Sequence, residues 1–235
     1  ADITGTKIFS QDKGDFVLQK GPLFANLELA DEINRSAPKT QAALLEAMAE
    51  RQITIEGQTL ALEKPFIVVA TENPIEMEGT YPLPEAQVDR FLFKLWLDYP
   101  EQDEEVEIMR RQLSGDLPSV QRITTGPEIL AAQNLVNQVY IDERILKYIR
   151  DLILKTRSHP QVQMGCGPRA SLVLMKCSKA RAAILGRTYV TPDDVRSLTV
   201  PALNHRLLLK PEAELEGLDV KAVVKNILEE IPIPI

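Results

Sequence analysis

The run FIVVAT, Phe66–Thr71, is apolar without a break until its final threonine, and it constrains the fold more than any other stretch. A half-exposed strand alternates apolar and polar residues, whereas a continuous run of this kind belongs to a strand covered on both faces. A second, mostly apolar run over Leu27–Asp31 leads straight into adjacent carboxylates, Asp31 and Glu32, followed by Asn34 and Arg35. Between the two lies a helix from about Pro38 to Arg51, since proline suits a first helical position and Leu44, Leu45 and Met48 share one stripe. Two hairpins are expected, TKIFSQDKGDFVLQ around Asp12-Lys13-Gly14 and ITIEGQTLAL turning at Glu56-Gly57. FLFKLWLDY, Phe91–Tyr99, reads as a further strand, with a helix over Glu101–Leu113 behind it. Strands interleaved with helices predict a parallel α/β sheet.

The pattern changes at Ser114–Pro127, where Gly115, Pro118, Gly126 and Pro127 punctuate the chain. Beyond it every apolar period is helical: Ile145, Leu146, Ile149, Leu152 and Ile153 form one stripe, and Val173, Cys177, Ala180 and Ile184 another. Thr191-Pro192-Asp193-Asp194 has the cap hydroxyl, the first-turn proline and the acids of a helix start. The sequence thus divides into an α/β part over 1–113, a linker over 114–126 and an all-α part over 127–235.

The 235 residues carry a net charge of −7, which disfavours binding to a nucleic-acid backbone. No stretch approaches the ~18 apolar residues of a membrane span, and the first residues lack the form of a secretory signal. Two cysteines make no disulfide framework, which fits a reducing cytoplasm. With His159 and His205, Cys166 and Cys177 match no familiar zinc spacing, and Cys177 sits on an apolar stripe. The first residue is alanine, so the chain is expected to begin within a longer protein.

An apolar strand ending in Asp-Glu suits nucleotide hydrolysis, where one carboxylate holds Mg²⁺ on the phosphates and the next orients or deprotonates water. The same pair also suits an ordinary strand end in solvent, and Glu28 is an awkward residue for a central strand. Thr71, Glu72 and Asn73 emerge at the carboxyl end of the second strand, where open α/β sheets bind ligands. Asn73 either holds a water or phosphate oxygen or forms a turn before Pro74. Arg90 either pairs with Asp89 or serves a phosphate.

Three ordered stretches carry a resemblance: FANLELADEINRSAPKTQAALLEAMAERQITIEG, ATENPIEMEGTYPLPEAQVDRF and the later GPRA are similar to the MoxR family of AAA+ ATPases. The resemblance implies a P-loop-NTPase-like parallel core followed by a small helical lid. It places Asp31 on the Mg²⁺-binding Walker B carboxylate, Glu32 on the water-activating one and Asn73 on sensor 1. Arg90 falls on the arginine finger that reaches a neighbouring subunit's ATP, and Arg169 on sensor 2 of the lid; Arg35 is a further candidate for phosphate or intersubunit contact. It further implies an oligomeric ring, a hexamer, that remodels client proteins or matures their metal cofactors, with von Willebrand factor A-domain proteins among the partners. Both hairpins would face the pore or a partner. None of the 11 glycines precedes a lysine, so the sequence contains no G-x-x-x-x-G-K-[ST] loop. The family carries that loop upstream of the segment matching DITGT, and the α/β core is expected to lack its P-loop portion here. Gly165-Cys166-Gly167 departs from the family pattern and is expected to loosen the lid turn. A non-hydrolysing interaction module and a DNA-associated motor are the rival readings.

Overall fold

The computed structural model describes residues 3–12, 14–73, 79–115 and 119–234. It opens with an antiparallel hairpin, β1 (Gly5–Ser10) and β2 (Asp15–Lys20), in register from Gly5 opposite Lys20 to Ser10 opposite Asp15. Lys13 of the expected turn lies outside the described residues. Gly5 is required at the base: its φ is +96°, and an added Cβ would meet the Gln19 carbonyl oxygen at 2.2 Å.

Strand β3 (Leu27–Ala30) is followed by α1 (Pro38–Glu50), with Pro38 in its first turn and Leu44, Leu45 and Ala47 buried. A hairpin of β4 (Gln52–Ile55) and β5 (Gln58–Ala61) turns at Glu56 and Gly57, both with positive φ, as a two-residue hairpin loop requires. The chain then returns as β6 (Ile67–Ala70), parallel to β3 with Leu27 beside Ile67 and Ala30 beside Ala70. Leu23, Ile33, Leu44, Ile53, Leu62 and Phe66 form the core of this part.

Two expectations for the sheet need correction. Only one face of the β3–β6 pair is covered, for Leu27 and Leu29 are 63% and 64% exposed and Ile67 and Val69 are also open. Phe91–Tyr99, after the short α2 (Glu85–Val88), is not a strand. Its residues have strand-like composition, but no described strand lies beside it to complete a ladder, and a strand is defined by its partner. Leu95, Leu97 and Tyr99 therefore stand exposed.

Helix α3 (Gln102–Ser114) has a capping box of Glu101 and Glu104, and α4 (Gly126–Gln138) one of Thr125 and Glu128. The second core joins α5 (Glu143–Ser158), α6 (Pro168–Ile184), α7 (Pro192–Leu203) and α9 (Val220–Glu230), with Leu152, Leu174, Val195 and Leu203 fully buried. Strands β7 (Val162–Met164) and β8 (Leu208–Leu209) and the short α8 (Pro211–Leu215) complete it. The α7 start is as expected, with Thr191 and Asp194 reciprocally capping; Asp194 is buried because Arg187 neutralises it at 2.6 Å. On α6 the buried face runs through Ala170, Val173, Leu174 and Ala182, and Ile184 of the expected stripe is 83% exposed at the helix end.

The lid turn is tied down rather than loosened. An added Cβ on Gly165 would meet the Arg157 backbone at 2.7 Å, so glycine permits close approach to α5. The buried Cys166 donates its N–H to Thr156 Oγ1 at 3.0 Å, and its carbonyl accepts from Arg157 Nε at 2.8 Å.

Candidate functional site

Parallel pairing brings the ends of β3 and β6 out side by side, and a single threonine joins them. Thr71 Oγ1 donates to Asp31 Oδ1 at 2.5 Å and accepts the Glu32 N–H at 2.8 Å. The Thr71 backbone N–H donates to the Ala30 carbonyl, and its carbonyl accepts the Ile33 N–H. Glu32 is thereby held in the left-handed region at φ 48°, ψ 53°, a conformation costly for a residue with a Cβ and concentrated at functional sites. Its Oε2 accepts from Arg35 Nη1 at 3.1 Å across the exposed surface. Asp31 remains exposed beyond Thr71.

Behind the carboxylates, buried amides hold the loops. Gln41, on α1, donates through Nε2 to the carbonyls of Ile33 at 3.1 Å and Tyr81 at 2.8 Å. The Asn34 carbonyl accepts the Tyr81 N–H at 2.6 Å, and Asn34 Nδ2 reaches the Asn73 carbonyl at 3.4 Å. Asn34 Oδ1 is buried with no partner among the described residues. Asp31, Glu32 and Asn73 are thus assembled at one sheet end, with Thr71, Asn34 and Gln41 as their supports. Residues 74–78, which follow Asn73, lie outside the described residues. Glu28, within β3, has its carboxyl pushed above the usual range by burial.

The two arginines are placed elsewhere. Arg90 follows α2, is exposed, and has no ion-pair partner among the described residues; it borders a shallow groove with Leu45, Glu46 and Glu50 of α1. Asp89 does not pair with Arg90 but with two lid arginines. Arg169, in the first turn of α6, donates to Asp89 Oδ2 at 2.8 Å, and Arg206 donates Nε to Asp89 Oδ1 at 2.8 Å. Arg206 is buried, and its guanidinium also serves the carbonyls of Asp89, Phe91, Leu92 and Ala202. His205 beside it lies 3.0 Å from the Phe91 carbonyl and 3.1 Å from Asn204 Oδ1, and burial first, then Arg206, pushes its pKa down to about 4. Cys166 packs beneath, its thiol raised by burial to about 11. Residue spacing gives no warning of Thr71, Gln41 or Arg206, since each acts across 40 or more residues or, for Gln41, on two separate loops.

Comparison with known proteins gives the family and the fold. The ATPase family associated with various cellular activities (AAA) matches residues 1–93, and the AAA lid domain matches residues 154–227. YeaC of Bacillus subtilis is 44% identical over the whole chain, which covers 74% of YeaC. Chaperone MoxR1 of Mycobacterium tuberculosis is 38% identical over 99% of the chain and 64% of MoxR1. The chain belongs to the MoxR family of AAA+ ATPases. A crystal structure of a candidate ATPase from Cytophaga hutchinsonii superposes with a TM-score of 0.92 at 42% identity, over 100% of this chain and 74% of that one. The MoxR-family fold, a parallel α/β core with a helical lid, is therefore the fold of this chain. No helix among the described residues is long and apolar enough to cross a membrane.

An ATPase of this family uses Mg²⁺, and the donor set fits it: Asp31 presents a hard carboxylate oxygen in the open, oriented by Thr71. Mg²⁺ takes one or two protein carboxylates and leaves its other positions to phosphate and water.

Proposed function

We propose that this MoxR-family protein hydrolyses ATP in an oligomeric ring in the cytoplasm and uses the turnover to remodel client proteins. The parallel register of β3 and β6 carries the reading, because it brings Asp31, Glu32 and Asn73 to one sheet end. Bound Mg-ATP supplies an activated phosphoryl group and the cation that offsets its charge. Asp31 would hold that cation, Glu32 would accept the proton of the attacking water, and Asn73 would orient the water or the γ-phosphate oxygen. The phosphate cradle this reading needs is the P-loop that the family carries ahead of the segment matching DITGT. The apolar face of Leu27, Leu29, Ile67 and Val69 and the unpaired segment 91–99 provide a surface on which further strand and helix would pack.

Arg90, exposed and free of a carboxylate partner among the described residues, serves the ATP of the adjacent subunit. The first hairpin presents Ile8, Phe9 and Phe16 to a client, with the two rings edge to face at 5.5 Å. Maturation of metal cofactors alongside von Willebrand factor A-domain partners, in a hexamer, is the particular form we assign to this remodelling. The net charge of −7 weighs against the DNA-motor alternative.

Complementation between subunits tests the assignment in the full-length protein. Glu32→Gln should bind Mg-ATP and not turn it over, and Arg90→Ala should lose on the order of 10³-fold or more in rate while retaining ATP affinity. Mixing the two inactive proteins should restore part of the turnover, at interfaces where an Arg90→Ala subunit holds the nucleotide and a Glu32→Gln neighbour supplies its Arg90. Normal turnover by Arg90→Ala would exclude the role in trans. Absence of nucleotide binding by the wild type would favour the interaction-module reading.

A further inference from the structure

The turn that carries Arg90 takes its shape from the lid. Helix α2 stops at Val88, so the carbonyls that follow it have no helical N–H to accept. One lid side chain supplies the missing donors. Arg206 donates Nε to Asp89 Oδ1 at 2.8 Å, Nη2 to the carbonyls of Asp89 at 2.9 Å and of Phe91, and Nη1 to those of Leu92 at 3.2 Å and of Ala202. The carbonyls of residues 89, 91 and 92 lie on both sides of Arg90 in the chain.

The fastening continues along the same strip. His205 lies 3.0 Å from the Phe91 carbonyl, Asn204 Nδ2 donates to the Lys94 carbonyl at 2.9 Å, and the Lys94 N–H donates to the Pro201 carbonyl at 3.0 Å. The Arg206 side chain is 1% exposed, and withdrawing it would leave a buried cation and several acceptors unsatisfied. It is a staple, and the Arg90 backbone cannot shift independently of the lid. Arg90 itself stays exposed, bordering the groove with Leu45, Glu46 and Glu50 of α1.

We propose that Arg206 is a positioning residue: through the backbone on either side of Arg90 it sets where that arginine stands toward the neighbouring subunit's ATP. The inference rests on the reading of Arg90 in trans given above. It assigns the effect of a lid residue to the next subunit's site rather than to its own. Misplacing a group by about 1 Å can cost about 10²-fold in rate, so loss of the staple should appear in turnover and not in nucleotide affinity.

The test extends the mixing experiment on the full-length protein, with the turnover restored by Arg90→Ala and Glu32→Gln subunits as reference. Adding Arg206→Met to the Glu32→Gln subunit, which supplies Arg90, should lower the restored turnover by about tenfold or more. Adding it instead to the Arg90→Ala subunit, which holds the nucleotide, should leave most of that turnover in place. Each double variant should bind a non-hydrolysable ATP analogue as its parent does, and Tm and gel filtration report whether it folds and assembles. A merely structural Arg206 would act in the subunit that holds the nucleotide, or in both alike. Equal loss in the two mixtures, loss confined to the nucleotide-holding subunit, or no loss in either overturns the proposal. Should Arg206→Met not fold, Arg206→Lys goes through the same comparison, since lysine keeps a charge for Asp89 and gives up the fork that spans the carbonyls. A reference mixture without turnover overturns the trans reading of Arg90, and the proposal with it, before Arg206 is altered.

Discussion

Replacing Arg206 with methionine keeps most of the side chain's length and apolar stem while removing the guanidinium. The loss falls on the Asp89 carboxylate and on the carbonyls of Asp89, Phe91, Leu92 and Ala202, all served by this one group. Breaking a buried pair by removing one partner costs about 3–5 kcal/mol, because the other partner stays behind uncompensated. Here the Asp89 side chain retains 33% exposure and a second partner in Arg169, so part of its solvation is recovered and the low end applies, about 3 kcal/mol. For a chain of this size each kcal/mol moves Tm by about 2–4 °C, which places the shift at about 6–12 °C. The single tryptophan reports on the same contact. Trp96 follows the stapled turn, and its ring lies 4.0 Å from Lys221 Nζ on α9 and 5.6 Å from Lys94 Nζ. Urea unfolding followed by Trp96 fluorescence should show the lower midpoint, and native emission should move to longer wavelength as the segment leaves the lid. A loss below about 1 kcal/mol with unchanged Trp96 emission would refute the assignment of Arg206 as the staple between lid and core.

Three further outcomes are expected. Both histidines have pKa values below the ordinary range, His205 at about 4 and His159 lowered chiefly by burial. The unfolded chain therefore takes up protons that the native chain refuses, so stability is lost as pH falls from about 6.5 towards 4, by up to about 3 kcal/mol for His205. Urea midpoints across that range should fall less steeply in His205→Gln than in the wild type, and equal slopes would contradict the depressed value. Thr71→Val removes the hydroxyl between Asp31 and the Glu32 N–H, and turnover in the full-length protein should fall at least tenfold, about 1.4 kcal/mol, with the fold retained by circular dichroism. Leu152→Ala empties a fully buried site on α5 and should cost about 2.7–5 kcal/mol in urea unfolding, whereas the same change at the exposed Leu215 should cost less than about 0.5 kcal/mol.

Local signals were legible where the chemistry is local. Proline at the first turn of α1, the Thr191–Asp194 cap of α7 and the Glu56-Gly57 turn each depend on residues a few positions apart, and each stands where the sequence places it. The parallel α/β class and the change to a mainly helical second part follow in the same way from period and punctuation, whereas the short β7–β8 pair within it was not foreseen. The Asp31-Glu32 pair could be picked out because strand and carboxylates are contiguous.

What required the tertiary structure is everything that depends on a partner distant in the chain. Phe91–Tyr99 has the composition of a strand yet pairs with no described strand, since hydrogen bonding to a neighbour and not side-chain content makes a ladder. FIVVAT is apolar enough for two covered faces, but coverage belongs to what packs above it, and one face is open. Asp89 beside Arg90 suggests an ion pair by adjacency; instead the carboxylate turns to Arg169 and Arg206, 80 and 117 residues away. By itself the sequence determined the fold class and the carboxylates at the end of β3, because periodicity, caps and contiguous motifs act over a few residues. The tertiary structure decided that Thr71 joins Asp31 to Glu32 and that Arg206 staples the lid to the turn carrying Arg90, because register and burial arise only when distant segments meet.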